Sequence, residues 1–183
     1  MKMNNEQAVS PVVGVMLMLV VVIIIAAVVS AFAGGSVSGV KKVPQATIGG
    51  KFSISNGMEI SHNGGDPLAT NDLVFIVRDG PMFGQNLEQK TAQVLNMTII
   101  SNGKGEILDK GDGTMNVTAF LSGDSLIISG ANATCSLLQP GVYSSGVTSY
   151  CISNTDNVGK SFSLEVSDKR GNLISISDVA ISP

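Results

Sequence analysis

His62 is the only histidine in the 183-residue chain, and it sits in His62-Asn63-Gly64-Gly65-Asp66-Pro67-Leu68. With Ser61 before it and Asp66 after it, the trio has the residue types of a hydrolase triad. No nucleophile elbow accompanies them, so the expectation is structural: His62 and Asp66 fix a turn at Gly64-Gly65 through local hydrogen bonds. One histidine cannot build a His-based metal cluster in one chain. Asp109-Lys110-Gly111-Asp112-Gly113 invites comparison with a calcium loop. It lacks the alternating ligands and closing Glu of an EF-hand, and reads as a solvated turn. Gly49-Gly50 is followed by Lys51-Phe52, which is no phosphate loop. No catalytic residue, metal site or cofactor is expected, and the chain is read as not an enzyme.

Two other sets of residues invite covalent chemistry. Cys135 and Cys151 are the only cysteines and flank a Gly/Ser/Tyr-rich stretch. A disulfide between them closes a loop of about 15 residues, worth about 3 kcal/mol in the chain-entropy model. Two reduced, buried thiols are the alternative. Asn96-Met97-Thr98, Asn116-Val117-Thr118 and Asn132-Ala133-Thr134 are N-glycosylation sequons, usable if the chain is exported. Asn132, near turn-like residues and Cys135, is expected to be the most exposed of the three.

Composition narrows the function further. Charged residues make up 14%, aromatic residues 4%, and Trp is absent. Neither a basic patch nor stacking platforms exist for nucleic acid, so none is expected as a partner. No charged residue occurs from Gln7 to Val40. Lys2 and Glu6 precede that stretch, so the remainder carries 10 basic and 13 acidic residues, which is −3, the net charge of the whole chain. An uncharged apolar segment joined to a polar remainder is the main feature of the sequence.

Within that segment, Ser10-Pro11 is a helix start: Ser caps free N–H groups and Pro has no N–H to waste at the first helical position. A helix is predicted over Val12 to Ala33, stopped at Gly34-Gly35. Its 22 residues at about 1.5 Å each give about 33 Å, enough for a hydrocarbon core. It is apolar all round, so lipid or protein must surround it. Ala26 with Ser30, and Ala27 with Ala31, are four-residue small pairs that permit close helix approach, although a solitary anchor carries such pairs by chance too. Ala31-Phe32-Ala33 has the form of a leader peptidase site, but the preceding apolar run exceeds the usual 7–15 residues of a signal peptide. Lys2 and Lys41-Lys42 balance the two flanks, so charge sets no orientation.

The run Gln7-Ala8-Val9-Ser10-Pro11-Val12-Val13-Gly14-Val15-Met16-Leu17-Met18 resembles the N-terminal signature of archaeal type IV pilins. The Val/Ile/Ala run and the Gly34-Gly35 exit are similar to that family as well. The His62–Leu68 stretch resembles a short His-x-Gly-Gly-Asp-x-Leu element of pilin-like proteins. The resemblance implies cutting by a prepilin peptidase at the site spanned by Glu6, Gln7 and Ala8, with the helix retained. No Glu follows the cut shortly after, unlike bacterial type IV pilins. It also implies a homopolymer assembled by pilus machinery, insertion in the cytoplasmic membrane beforehand, and a cell-surface filament used in adhesion. Val12, Gly14, Met16, Leu19, Ile23, Ala27 and Ala31 are the candidate filament-core positions. An anchored binding module that never polymerises, or a secreted enzyme, are the rival readings.

The expected organisation is a leader over 1–7, a hydrophobic helix over 8–35, a linker over 36–44 and a β-rich surface domain over 45–183. Leu73–Val77, Val94–Ile100, Asn116–Leu121 and Leu126–Ile128 are strand candidates. Phe162, Leu164 and Val166 alternate with Ser163 and Glu165. They lead through Asp168–Asn172 into Leu173–Ile181, an antiparallel hairpin. The fold class is α+β: a long helix, then an all-β domain of sandwich, Ig-like or small-barrel type.

Overall fold

A computed structural model describes residues 10–35, 42–80 and 92–183. The expected leader, with Glu6, Gln7 and Ala8, and the expected linker as far as Lys41 lie outside the described residues. The chain divides into two compact units, Met1–Lys42 and Val43–Pro183.

Among the described residues, the first unit contains one helix, α1 (Ser10–Gly35). It begins where Ser10-Pro11 predicts and ends at the glycine pair. Val, Ile, Leu, Met and Ala fill it, with no acidic residue in its first turn and no basic residue in its last. Nothing complements the helix dipole, so the helix depends on its surroundings rather than on its own charge pattern.

The second unit is a large curled sheet, and the class is α+β. Its strands are β1 (Ala46–Ser53), β2 (Gly57–Gly65), β3 (Leu68–Ala69), β4 (Leu73–Arg78), β5 (Gln93–Val94), β6 (Ser101–Asn102), β7 (Ala119–Phe120), β8 (Ser125–Ser129), β9 (Ser161–Asp168) and β10 (Leu173–Ser182). Eight of them form one sheet in the order β5-β4-β9-β10-β1-β2-β8-β6, and β3 pairs with β7 in a separate ribbon. Two short helices, α2 (Cys135–Leu138) and α3 (Pro140–Ser144), interrupt the run to β9.

Two-residue alternation places the core. Leu73, Phe75 and Val77 of β4 are buried, as are Phe162, Leu164 and Val166 of β9. These rows meet in register, Phe75 opposite Val166 and Val77 opposite Leu164. On the other half, Met58 opposes Ile128 and Ile60 opposes Leu126. The halves join at β1 and β10, which run parallel and share only two register pairs, Phe52 with Ile181 and Ser53 with Ser182. Side chains reinforce this short seam. Ser182 Oγ donates to the Phe52 carbonyl at 2.6 Å, and Ser175 Oγ accepts from Ile48 N–H at 3.1 Å. Phe52 and Phe162 meet edge to face, with centroids 5.6 Å apart, so one core serves both halves.

The β9–β10 turn is fixed by Asp168, which is buried. Its Oδ1 accepts from the backbone N–H groups of Arg170 and Asn172, both at 2.9 Å. Its Oδ2 accepts from Asn172 Nδ2 and Arg170 Nη2, also at 2.9 Å. The Asn172 side-chain bond leads these interactions in holding the carboxyl down at about 2. The stabilisation is therefore complete above the ordinary carboxylate range and is lost as pH falls towards 2.

Several segments depart from the expectation. Of Val94–Ile100, only Val94 is in a strand; Met97–Ile99 forms a 3-10 turn because Asn96 Oδ1 accepts from Thr98 N–H at 3.0 Å, offering the backbone a local partner. Of Asn116–Leu121, only Ala119–Phe120 pairs, against β3. The long β1–β2 hairpin was not expected at all. Its turn needs Gly57, at φ 95°, where a Cβ would lie 2.0 Å from the Ile128 carbonyl oxygen.

Phe162→Ala removes the ring that bridges the two halves. We expect a loss of about 3–5 kcal/mol in the unfolding free energy, measured by denaturant titration.

Candidate assembly helix and surface sites

Every residue from Pro11 to Ala33 is exposed in the single chain. Within this span of 23 residues an 18-residue stretch reaches a mean hydropathy of 3.4, and the span is long and apolar enough to cross a membrane. Val12, Met16, Leu19, Ile23, Ala27 and Ala31 recur at three- and four-residue steps and run down one side of α1. Gly14 lies on the opposite side, where a Cβ would meet nothing within 4 Å. That opposite side is as apolar as the first: Met18, Val21, Ile25, Val28 and Phe32 continue from Gly14 at three- and four-residue steps. Met16 is 65% exposed, Leu19 57% and Ile23 64%, without a polar neighbour on the helix to screen them. The arrangement performs no chemistry. It is an interaction surface around its whole circumference.

The residues that resemble a triad do not assemble one. His62 is buried, and its ring sits edge to face on Phe120 at 5.2 Å. Its Nε2 is 3.1 Å from the Asp66 carbonyl oxygen, while Nδ1 accepts from Gly64 N–H at 3.3 Å. The Asp66 carboxylate turns away, accepting from Gln45 N–H at 3.1 Å, and Asp66 N–H donates to the Gln45 carbonyl at 2.7 Å. His62, Gly64, Gly65 and Asp66 thus clasp the entry to β1. Gly65, at φ 109°, lies so close that a Cβ would come 2.3 Å from the Gln45 carbonyl oxygen. A cleft of about 870 Å³ opens between Val43–Thr47, Gly64-Gly65 and Gly171–Ile174, without a charged side chain in its lining.

Asp109 and Asp112 spend Oδ1 atoms on their own turns, accepting from Gly111 and Thr114 N–H at 2.8 Å each. Among the described residues, no group of three or more His, Cys, Asp or Glu side chains is placed to hold a metal.

Cys135 and Cys151 form a disulfide, with Cα atoms 5.5 Å apart and a sequence separation of 16. It closes the segment that carries α2 and α3, whose apolar anchors Leu138 and Ile152 are fully buried. The sequons rank differently from the expectation. Asn96 and Asn116 are exposed, while Asn132 is half-buried. Asn132 sits in the Gly130–Asn132 turn, which presses so closely on the β1–β2 turn that a Cβ on Gly130 would lie 2.2 Å from the Ser55 carbonyl oxygen. One site had no signal in the sequence. Asp79, at the end of β4, and Gln139, between α2 and α3, are 60 residues apart and hydrogen-bonded at 2.6 Å.

Replacing Cys135 with Ser opens the loop. We expect it to cost about 3 kcal/mol of stability, read as a lowered denaturant midpoint, and treatment of the unaltered chain with a reductant to reproduce it.

Two comparisons bear on the helix and its surroundings. No curated protein matches the chain. Residues 7–48 match a family model described as archaeal type IV pilin, N-terminal, a match that takes in all of α1 and ends inside β1. From Gln7 into the first strand, the chain is similar to the archaeal type IV pilin N-terminal family.

Proposed function

We propose that the chain is the structural subunit of an archaeal type IV pilus, polymerising through α1 into a cell-surface filament used in adhesion. The observation that carries the reading is α1 itself: a cylinder apolar on all sides, exposed from Pro11 to Ala33, in a match to the pilin N-terminal family. Such a helix has two acceptable surroundings, lipid and other apolar helices. Before assembly the membrane solvates it. In the filament, Val12, Gly14, Met16, Leu19, Ile23, Ala27 and Ala31 contact copies of the same helix. Each 100 Å² kept from water is worth about 2.5 kcal/mol. A head-to-tail contact that does not close gives an open helical polymer.

The partners in this reading are further copies of the chain, a prepilin peptidase acting at Glu6, Gln7 or Ala8, and pilus assembly machinery. Residues 1–7 are the leader, 8–35 the core helix, 36–44 the linker and 45–183 the outward domain. Asn96, Asn116 and Asn132 are glycan acceptors in an exported chain, with Asn96 and Asn116 favoured by their exposure. An anchored module that stays single would need the same apolar helix but no leader removal.

Mass spectrometry of filaments sheared from cells separates the two readings. We expect a mature start at Gln7 or Ala8 with the apolar helix retained, and a mass that falls on deglycosylation. A start at Met1, confined to the membrane fraction, would refute the pilin reading. Leu19→Asp places a carboxylate in the middle of the core helix, costing about 3 kcal/mol in an apolar surrounding. Filaments should disappear from the sheared fraction, and normal filaments would sink the core assignment.

A further inference from the structure

Gln139 is fully buried between α2 and α3, and backbone sets its amide orientation. Its Oε1 accepts from Ile152 N–H at 2.6 Å. That leaves Nε2 facing β4, where it donates to Asp79 Oδ1 at 2.6 Å. The second Asp79 oxygen, Oδ2, is buried without a hydrogen-bond partner. An ionised carboxylate in this position has one donor for two charged oxygens. A neutral carboxyl keeps Oδ1 as acceptor and leaves a single hydroxyl unpaired, which is the smaller cost in a buried site.

Among the described residues, no cation is paired with the carboxyl. Residues 135–155, which include α2 and α3, contain no charged residue. Arg78, next to Asp79 on β4, is bound through Nε to Glu165 Oε1 of β9 at 2.7 Å. Lys160, just before β9, has Nζ 2.7 Å from Asn157 Oδ1. Asp156 in the adjoining turn is exposed and would add only negative charge. Beyond the Gln139 bond, the neighbouring contact between this segment and the sheet is neutral: Gly141 N–H donates to Gln93 Oε1 at 2.8 Å.

We propose that docking of the disulfide-closed segment 135–152 on the sheet is proton-linked, with the neutral Asp79 carboxyl as its docked form, so that the segment is a latch that tightens in acid. Burial drives the Asp79 carboxyl up to about 7, against a smaller lowering by the Gln139 bond. Undocked, it returns to the ordinary value of 3.8. The sign follows from linkage. Docking is strongest below the ordinary value, weakens as pH rises to about 7, and is level above that. The latch carries exposed Leu137, Tyr143 and Val147, so acidity sets how firmly these apolar side chains are presented. The inference holds whether or not the chain polymerises.

Amide hydrogen exchange on the full chain in detergent micelles tests it. The Gly141 amide reports directly, because it donates across the contact to Gln93, and the Ile152 amide reports on the Gln139 side chain that carries the bond to Asp79. After correction for intrinsic exchange, their protection at about pH 4.5 should exceed that at about pH 7.5 by at least about tenfold. In Asp79→Asn, which keeps an Oδ1 acceptor without a charge, the ratio should fall to near one. Equal protection in the unaltered chain, or a ratio that survives the substitution, overturns the proposal. Carboxyl-carbon NMR titration of Asp79 in the unaltered chain needs no variant. A midpoint near 7 supports the latch, and one in the ordinary carboxylate range overturns it.

Discussion

Water cannot solvate a cylinder that is apolar on every side, and α1 is such a cylinder. A globular protein satisfies its helices by turning one stripe inward and one outward. Here α1 has no outward stripe: Met18, Val21, Ile25 and Val28 are as apolar as Val12, Met16, Leu19 and Ile23 opposite them. The second unit builds its core from its own strands, in a buried apolar cluster that begins at Ile48. Lipid and apolar protein are the two surroundings that suit such a helix. The same surface suits both, because it is matched to a low-dielectric surrounding rather than to one set of contacts.

The second unit meets a different constraint. A single sheet of eight strands has two faces, and a chain of this size can bury only one of them well. Curling solves the problem. The seam between β1 and β10 is held by only two register pairs, which lets the halves bend towards one another while remaining continuous. Phe52 and Phe162 then close the interior across the seam. Serine takes over where the ladder lapses: Ser175 and Ser182 supply bonds to Ile48 and Phe52 that a regular parallel pairing would have drawn from backbone. The abundance of Ser in β10 has this positional use.

How much of this was legible in the sequence depended on whether the governing interaction was local. Alpha-1 was, to within two residues at each end, because composition, a Ser-Pro start and a Gly-Gly stop all point the same way. The β9–β10 hairpin was, because Phe162, Leu164 and Val166 alternate and Asp168 opens a turn. Beta-1 and β2 were not: Gly49, Gly50 and the serines dilute their alternation, and only pairing across the sheet makes them strands. The run after Val94 misled in the other direction, since its apolar residues suit a strand but Asn96 caps a turn. Of the surface sites, the cysteine pair could be posed from sequence but not decided. The ranking of sequons failed because Asn132 is half-buried in a turn whose Gly130 packs against Ser55 of the β1–β2 turn, distant in sequence.

Asp79 shows the limit most clearly. Nothing adjacent to it in sequence marks it out, and Gln139 lies among uncharged residues that read as a plain loop. Their pairing appears only when the sheet delivers the end of β4 to the gap between α2 and α3. Two fixings meet there. The disulfide holds the loop closed in the chain, and the Gln139 amide, oriented by Ile152, ties the closed loop to the sheet. The first is covalent and indifferent to acidity. The second ends on a carboxyl with one oxygen left over, so it carries a proton dependence that the covalent closure cannot have. A surface segment can thus be permanent in its own shape and conditional in its attachment, and these two properties rest on different residues.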